Sequence, residues 1–245
     1  MYYTGVLMLP KIRMCQVEKV FNLGLHVKRI QLGGHSLYDF PVGQESAHVK
    51  VFIPHSEHQI DEAPLNPKSL RSYTVRAFDP KHKILTIDFS IGTHQGRYSR
   101  WAEQAKAGDS IGILGPGPKK HTHLHADWHL FVTDLTGLPA VAATLEQLPK
   151  EAKGHAIIQV PQAEDIQELN KPKGVQVKWL TQAFGSQNIL LEHLKKLPWP
   201  AGEPAIFLAG EKNQISQLKN HVAMLPGFNK NQLYASGYWT YEKNS

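Results

Sequence analysis

Near residue 120 the hydrophobic rhythm of this chain changes, and the change limits what it can fold into. Up to residue 114, short apolar runs alternate with polar residues and stop at turn formers. Residues 16–32 alternate loosely and end at Gly33-Gly34, 47–53 stop at Pro54, and 71–78 stop at Asp79-Pro80. A run at 84–91 follows, so 71–78 and 84–91 read as a hairpin with a turn of about five residues. Residues 99–106 carry Trp101, Ala102 and Ala105 at helical spacing, and 109–114 read as a last strand. Several short strands with turn signals predict a small antiparallel barrel.

Beyond residue 126 strands alternate with helices. Strands are expected at 128–133, 156–160, 175–180, 205–209 and 233–238, and helices at 138–148, 188–197 and 214–225. That alternation predicts a parallel sheet with crossover helices. The run Ala205-Ile206-Phe207-Leu208-Ala209 is apolar throughout, as in a strand buried on both faces. The expected organisation is a β-barrel domain over residues 1–120 and an α/β domain over 127–245, with the junction inside 115–126.

Composition excludes several classes. The chain has 245 residues, enough for two modest domains with real cores. A single cysteine, Cys15, excludes an internal disulfide framework and fits a reducing cytoplasm. No run of eighteen apolar residues is present, so no membrane span is expected. The N-terminal Met-Tyr-Tyr-Thr-Gly lacks a basic start and a full apolar core, so no secretory signal is expected. The net charge of +6 comes from lysines spread along the chain rather than massed in one arm, which argues against nucleic acid. A basic surface also suits an acidic small molecule. His121, His123, His125 and His129 cluster near the junction, but no carboxylate or thiol completes a metal set, and a solvated linker is the expectation. Ser236-Gly237-Tyr238 lacks the strand-turn-helix setting of a hydrolase nucleophile. The second domain has no Gly-x-Gly-x-x-Gly after its first strand, although a parallel sheet still offers a crevice at its carboxyl ends.

The most informative segment is Arg71-Ser72-Tyr73-Thr74-Val75-Arg76. On a strand, Arg71, Tyr73 and Val75 point one way and Ser72, Thr74 and Arg76 the other. A half-buried structural strand would keep one face apolar, whereas both faces here carry polar groups. A flat heteroaromatic ligand with a diphosphate tail suits this mixture: a tyrosine to stack, a hydroxyl to hydrogen-bond, an arginine to grip phosphate. Read alone, the hexapeptide fits equally a barrel strand with solvated arginines, and that plainer reading stands ahead.

The wider sequence resembles the siderophore-interacting proteins, the flavin-dependent ferric-siderophore reductases. Arg-x-Tyr-Thr-x-Arg resembles their flavin motif. His48-Val49-Lys50 precedes it, Asp88-Phe89 follows it, and residues 96–102, Gly108-Asp109, Gly115-Pro116-Gly117 and Asp127-Trp128 come in the family's order. Asp134, Thr136, Leu138, Pro139 and Ala140, then Ala209-Gly210-Glu211 and Ser236-Gly237-Tyr238-Trp239, complete the set. Departures are Arg97-Tyr98 where the family has Pro-Ala, Gly92 where it has a histidine (His94 lies two positions on), and Gly137 for its common alanine.

The resemblance implies an antiparallel flavin-binding barrel followed by a ferredoxin-reductase-like nucleotide-binding α/β domain. Arg71, Ser72, Tyr73, Thr74 and Arg76 would hold the isoalloxazine and ribityl-phosphate region of FAD, with Asp88, Phe89 and Ser90 also at the cofactor. Gly96 and Ser99, with Tyr98 between them, would offer donors to the diphosphate. Asp134 and Thr136, with Ala140, would meet the adenine end, and Tyr238 or Trp239 would cover an aromatic ring. Lys50, completed by Lys119 or Lys120 and by Lys243, would face an anionic iron chelate. The implied activity is reduction of a ferric siderophore by electrons from NADH, NADPH or a ferredoxin-type protein, in a cytoplasmic monomer. No general acid, base or nucleophile is expected. A general NAD(P)H:flavin or electron-transfer-protein reductase is the alternative enzyme, and a non-redox binding module the alternative outside catalysis.

Overall fold

The computed structural model describes residues 11–54, 70–92, 96–119, 123–185 and 187–241. The expected fold class holds: an antiparallel barrel-like sheet precedes a parallel sheet with helices. The first sheet contains β1 (Ile12–Asn22), β2 (Val27–Gly33), β3 (His48–Phe52), β4 (Arg71–Thr74), β5 (Ala77–Asp79), β6 (Ile84–Ser90) and β7 (Ser110–Leu114). Their order is β4-β3-β7-β1-β2-β6-β5, and each described pairing is antiparallel.

Two expected strands are each split. The single run 16–32 is a hairpin, β1 and β2, turning at residues 23–26, where the Leu23 amide donates to Val27 O at 3.0 Å. Apolar Leu23 and Leu25 carry the hydrophobic pattern through the turn and conceal it. The run 71–78 breaks at Val75-Arg76. The Val75 amide donates to Ala47 O at 2.9 Å, on the β3 side, and the Arg76 amide to Thr86 O at 3.0 Å, on the β6 side. Consecutive strands β4 and β5 thus sit at opposite ends of the sheet order, and this corner curls the sheet into a barrel. The Phe78–Leu85 hairpin is as expected, with Asp79 opposite Ile84. Between β6 and β7, α1 (Arg97–Gln104) packs Ala102 and Trp101 onto the barrel core, the indole centroid 5.6 Å from Phe89.

The second sheet contains β8 (Trp128–Asp134), β9 (Lys153–Val160), β10 (Gly174–Thr181), β11 (Pro204–Glu211) and β12 (Leu233–Trp239). All its pairings are parallel, in the order β10-β9-β8-β11-β12. Helices α2 (Leu138–Leu145), α3 (Ile189–Leu194) and α4 (Lys212–Val222) make the crossovers with the intervening loops. β8 and β11 are buried along their whole length, and their alternate residues feed two cores. Phe131, Phe207 and Leu138 pack on one side; Leu130, Leu208 and Leu218 on the other. The order reverses between β8 and β11, which opens a crevice at their carboxyl ends. Among the described residues no helix is long and apolar enough to cross a membrane.

The two sheets are joined by packing and by hydrogen bonds. Val27 and Leu23 of the β1–β2 turn enter the core of the second domain. The His26 amide donates to Asp165 Oδ1 at 2.8 Å, and its ring Nδ1 lies 2.7 Å from Asp165 Oδ2. Gly24 at this turn has φ of +157°, and a Cβ there would fall 2.7 Å from Glu164 O. The junction therefore needs a glycine for both torsion and approach.

A sharper constraint lies inside the second sheet. Gly154 on β9 adopts φ of +151°, and a Cβ would fall 2.0 Å from the His129 carbonyl oxygen. Backbone cannot rotate away as a side chain can. Gly154→Ala is expected to lower the urea unfolding free energy by about 2 kcal/mol without altering the denaturant slope.

Candidate functional site

A cleft of about 770 Å³ lies where the barrel meets the carboxyl ends of the parallel sheet. Strand β4 forms one wall. Among the described strands it has a ladder partner on one side only, β3, and all four of its residues line the cleft. A strand edge can present both faces to a ligand, which alternation by itself does not reveal. The Tyr73 ring lies 4.3 Å from Phe89 and 6.4 Å from Tyr98, centroid to centroid. Burial pushes the Tyr73 hydroxyl well above its ordinary range, with Tyr98 adding and Arg71 opposing, so it stays a neutral phenol. Phe89 is fully buried behind Tyr73 and supports it instead of lining the cleft. Thr74 is buried at the cleft wall, and the Arg71 guanidinium sits 5.9 Å over the Tyr98 ring.

Lys50 on β3 donates to Ser72 Oγ at 2.6 Å, and both line the cleft. Asp88 and Ser90 of β6 also reach it. Asp88 is gripped bidentately by Arg29, at 2.7 and 2.8 Å, so its charge is neutralised from behind.

Arg76 points elsewhere. Its guanidinium donates two hydrogen bonds to Glu146, next to α2, at 2.9 and 2.6 Å, and its Nε lies 4.0 Å from Asp88. Arg76 does not line the cleft; it ties the barrel to the second domain. Lys119 likewise lies off the cleft, donating to Gln147 Oε1 at 2.7 Å. Lys120, Lys243, His94 and His121 fall outside the described residues. His129 is buried in β8, stacked 6.0 Å from Phe131, and burial pushes its pKa down to about 4; it is part of a core, not a solvated linker.

The start of α1 faces the same space. Gly96, Arg97, Tyr98 and Ser99 line the cleft. Gly96 is the N-cap, no side chain caps the helix, and no acid occupies its first turn. Space over Gly96 is open, and Ser99 Oγ is buried without a protein partner. The first amides of a helix have no acceptor within it, so this is a donor-rich pocket awaiting an anion. An aromatic wall beside a donor set at a helix start is what FAD requires, and these residues fit it.

The far wall comes from the second domain: Thr136 and Pro139 after β8, and Tyr234, Ser236, Tyr238 and Trp239 on β12. The Tyr234 and Tyr238 hydroxyls are 3.5 Å apart, and burial holds Tyr238 a neutral phenol. Asp134 and Ala140 lie behind this wall, fully buried. Sequence reading missed His48, Leu70, Arg97, Pro139, Tyr234, Ser236 and Gly237 as cleft residues. Two signals would have found three of them, His48, Tyr234 and Ser236. His48 stands opposite Thr74 across the β3–β4 ladder, and Tyr234, Ser236 and Tyr238 share one face of β12 by strand period.

The fold and site together define a flavin-binding protein with the ferredoxin-reductase architecture. A Plasmodium falciparum ferredoxin-NADP+ reductase superposes with a TM-score of 0.69 at 12% identity, covering 95% of this chain and 99% of that one, a likeness of fold alone. Family models match as a siderophore-interacting FAD-binding domain over residues 16–120 and as siderophore-interacting protein over 126–242. The ferric vibriobactin reductase ViuB of Vibrio cholerae is 30% identical over 229 residues, 88% of this chain and 84% of its own. The NADPH-dependent ferric-chelate reductase of Escherichia coli is 26% identical, covering 94% and 93%. The siderophore-interacting protein SipS of Aeromonas hydrophila superposes with a TM-score of 0.84 at 31% identity, over 96% of this chain and 94% of that one. The chain belongs to the siderophore-interacting protein family, and its first domain is an FAD-binding domain.

The placement of Arg76 can be tested against its expected cofactor role. Arg76→Gln is expected to lower stability by about 1–3 kcal/mol in urea titration, between the values for exposed and buried ion pairs. Glu146→Gln should cost a similar amount, and the double variant little more than either alone. Purified Arg76→Gln should still retain most of its flavin.

Proposed function

We propose that this protein reduces ferric siderophores, passing electrons from NAD(P)H through FAD to chelated Fe(III), so that iron leaves as Fe(II). The observation that carries this is the charge of the cleft. Among its described lining residues the cations are Lys50, Arg71 and Arg97, and the one carboxylate, Asp88, is already paired with Arg29. An anionic iron chelate is attracted to such a mouth, and the attraction weakens as salt screens it. The names of the Vibrio and Escherichia relatives support the same substrate class.

Bound FAD supplies the conversion between a two-electron donor and a one-electron acceptor. One NAD(P)H is oxidised to NAD(P)+ with release of one proton, and two Fe(III) become two Fe(II). Hard-oxygen chelators hold Fe(II) far less tightly than Fe(III), so reduction is release. The protein's own groups bind and orient. Tyr73, backed by Phe89, offers a flat face for the isoalloxazine, and Thr74 a hydroxyl at its edge. Ser99 Oγ and the first amides of α1 would hold the diphosphate, with Arg97 alongside. Thr136 and Trp239 form the second-domain side. Lys50, held by Ser72, faces the chelate. The nicotinamide would enter the crevice at the carboxyl ends of β8 and β11. A ferredoxin-type donor would serve the same flavin, in a cytoplasmic monomer.

Tyr73→Ala combined with Thr74→Ala is expected to purify with less than about a tenth of the wild-type flavin, read from visible absorbance, since both a stacking face and a hydrogen bond are lost. For the activity, photoreduced protein is mixed anaerobically with one catecholate and one hydroxamate ferric chelate. Flavin reoxidation with at least one of them is expected, slowing as salt rises. Persistence of the reduced spectrum with both chelates would remove the proposal.

A further inference from the structure

The carboxylate of Asp134 is the most completely enclosed acid at the site. It ends β8 behind the cleft wall, 1% exposed. Oδ1 accepts from the Thr136 amide at 2.8 Å and the Thr136 hydroxyl at 2.5 Å. Oδ2 accepts from the Glu211 amide at 3.0 Å and from Trp239 Nε1–H at 2.7 Å. A carboxylate offers about four lone-pair directions, and four protein donors use them. Nothing remains with which Asp134 could read a ligand directly. Its neighbour Gly210 is shaped to the same purpose: a Cβ there would fall 2.6 Å from Oδ2.

Two of the four donors, Trp239 and Thr136, belong to cleft residues, and they come from opposite sides of the point where the strand order reverses. Two aromatic rings flank the Trp239 indole. Phe184 lies 5.2 Å away at 55° and Tyr241 6.4 Å away at 73°. The bond to Asp134 is the polar contact that fixes its rotation; burial pushes the Asp134 carboxyl up, and the hydrogen bonds from Thr136, Trp239 and Glu211 oppose that shift.

We propose that Asp134 is a positioning residue: it sets the Trp239 indole and the Thr136 hydroxyl as the second-domain wall of the cleft, and acts on the ligand only through them. The resemblance implied an acid touching the adenine end. The geometry instead makes Asp134 the anchor of residues that touch.

The test uses the full chain with Asp134→Ala, Asp134→Asn, Trp239→Phe and the double variants Asp134→Ala/Trp239→Phe and Asp134→Asn/Trp239→Phe. Trp239 fluorescence is isolated as the difference between each Asp134 background with and without Trp239→Phe, on FAD-free protein. It should shift to the red in Asp134→Ala and stay at the wild-type position in Asp134→Asn. An asparagine oxygen can serve the two N–H donors of Glu211 and Trp239, while its NH2 turns to the Thr136 side, where the hydroxyl can accept and the Thr136 amide alone loses its acceptor.

FAD affinity, read by flavin fluorescence quenching, rests on the flavin reading above. Asp134→Ala should weaken it about tenfold when Trp239 is present and at most about threefold when it is Phe. A fold-level role would weaken affinity by equal factors in both backgrounds, and that result overturns the proposal. So does unchanged Trp239 emission in Asp134→Ala. Should Asp134→Ala fail to fold, Trp239→Phe alone decides: about a threefold or larger loss of FAD affinity supports the clamp, and no loss overturns it. A wild-type protein that bound no FAD would sink the flavin reading, while the emission comparison would still judge the clamp.

Discussion

At Val75-Arg76 the backbone changes allegiance, and the cleft depends on that corner. One amide bonds to Ala47 on the β3 side and the next to Thr86 on the β6 side. Had the strand run straight from residue 71 to 78, both of its edges would lie within one ladder. Because it turns, β4 has a single partner strand among the described residues, and the side chains of both its faces meet the cleft. The corner also sends Arg76 away from Arg71. Two arginines five residues apart therefore do different work: Arg71 stays over Tyr98 at the cleft, and Arg76 reaches Glu146 across the domain junction.

That junction is a chain of charge. Arg29 grips Asp88, Arg76 approaches Asp88 from the far side, and Glu146 closes the other end of Arg76. The arrangement alternates in sign, so each buried charge faces an opposite one, which is the condition for tolerating charge away from water. It matters for the site because the cleft is composite. The barrel gives Tyr73, Thr74 and the start of α1, and the second domain gives Thr136, Tyr238 and Trp239. A slip of the domains by an ångström would separate the two walls, and His26 on Asp165 opposes it at a second point.

Much of this was legible in the sequence. The change from short alternating runs to alternating strands and helices gave the two architectures, because side-chain period follows directly from backbone geometry. The wholly buried β11 was readable from its unbroken apolar run. The hairpin at residues 23–26 was not, since apolar Leu23, packed on the other domain, and Leu25, exposed at the turn, imitate strand continuity. Nor was the corner at 75–76, where neither glycine nor proline marks the bend. It exists because closing the barrel satisfies two amides at once, a tertiary reward that no local propensity records. Arg76 and Asp134 share the same difficulty. Motif position puts them near the cofactor, but their side chains are consumed by Glu146 in one case and by four internal donors in the other.

The two domains also divide the chemistry of recognition. All six arginines, Arg13, Arg29, Arg71, Arg76, Arg97 and Arg100, occur in the first hundred residues. Planar bidentate recognition of phosphate or carboxylate can therefore come only from the barrel and the start of α1. The second-domain wall is built from neutral groups: the hydroxyls of Thr136, Ser236, Tyr234 and Tyr238, and the indole of Trp239. Such a wall can stack and orient, and among the described residues it adds no positive charge. The field that draws an anion is thus fixed to the rigid barrel beside the flavin motif, and the aromatic wall opposite can be tuned by one buried carboxylate without altering that field. Positioning and attraction are separable here because different domains supply them.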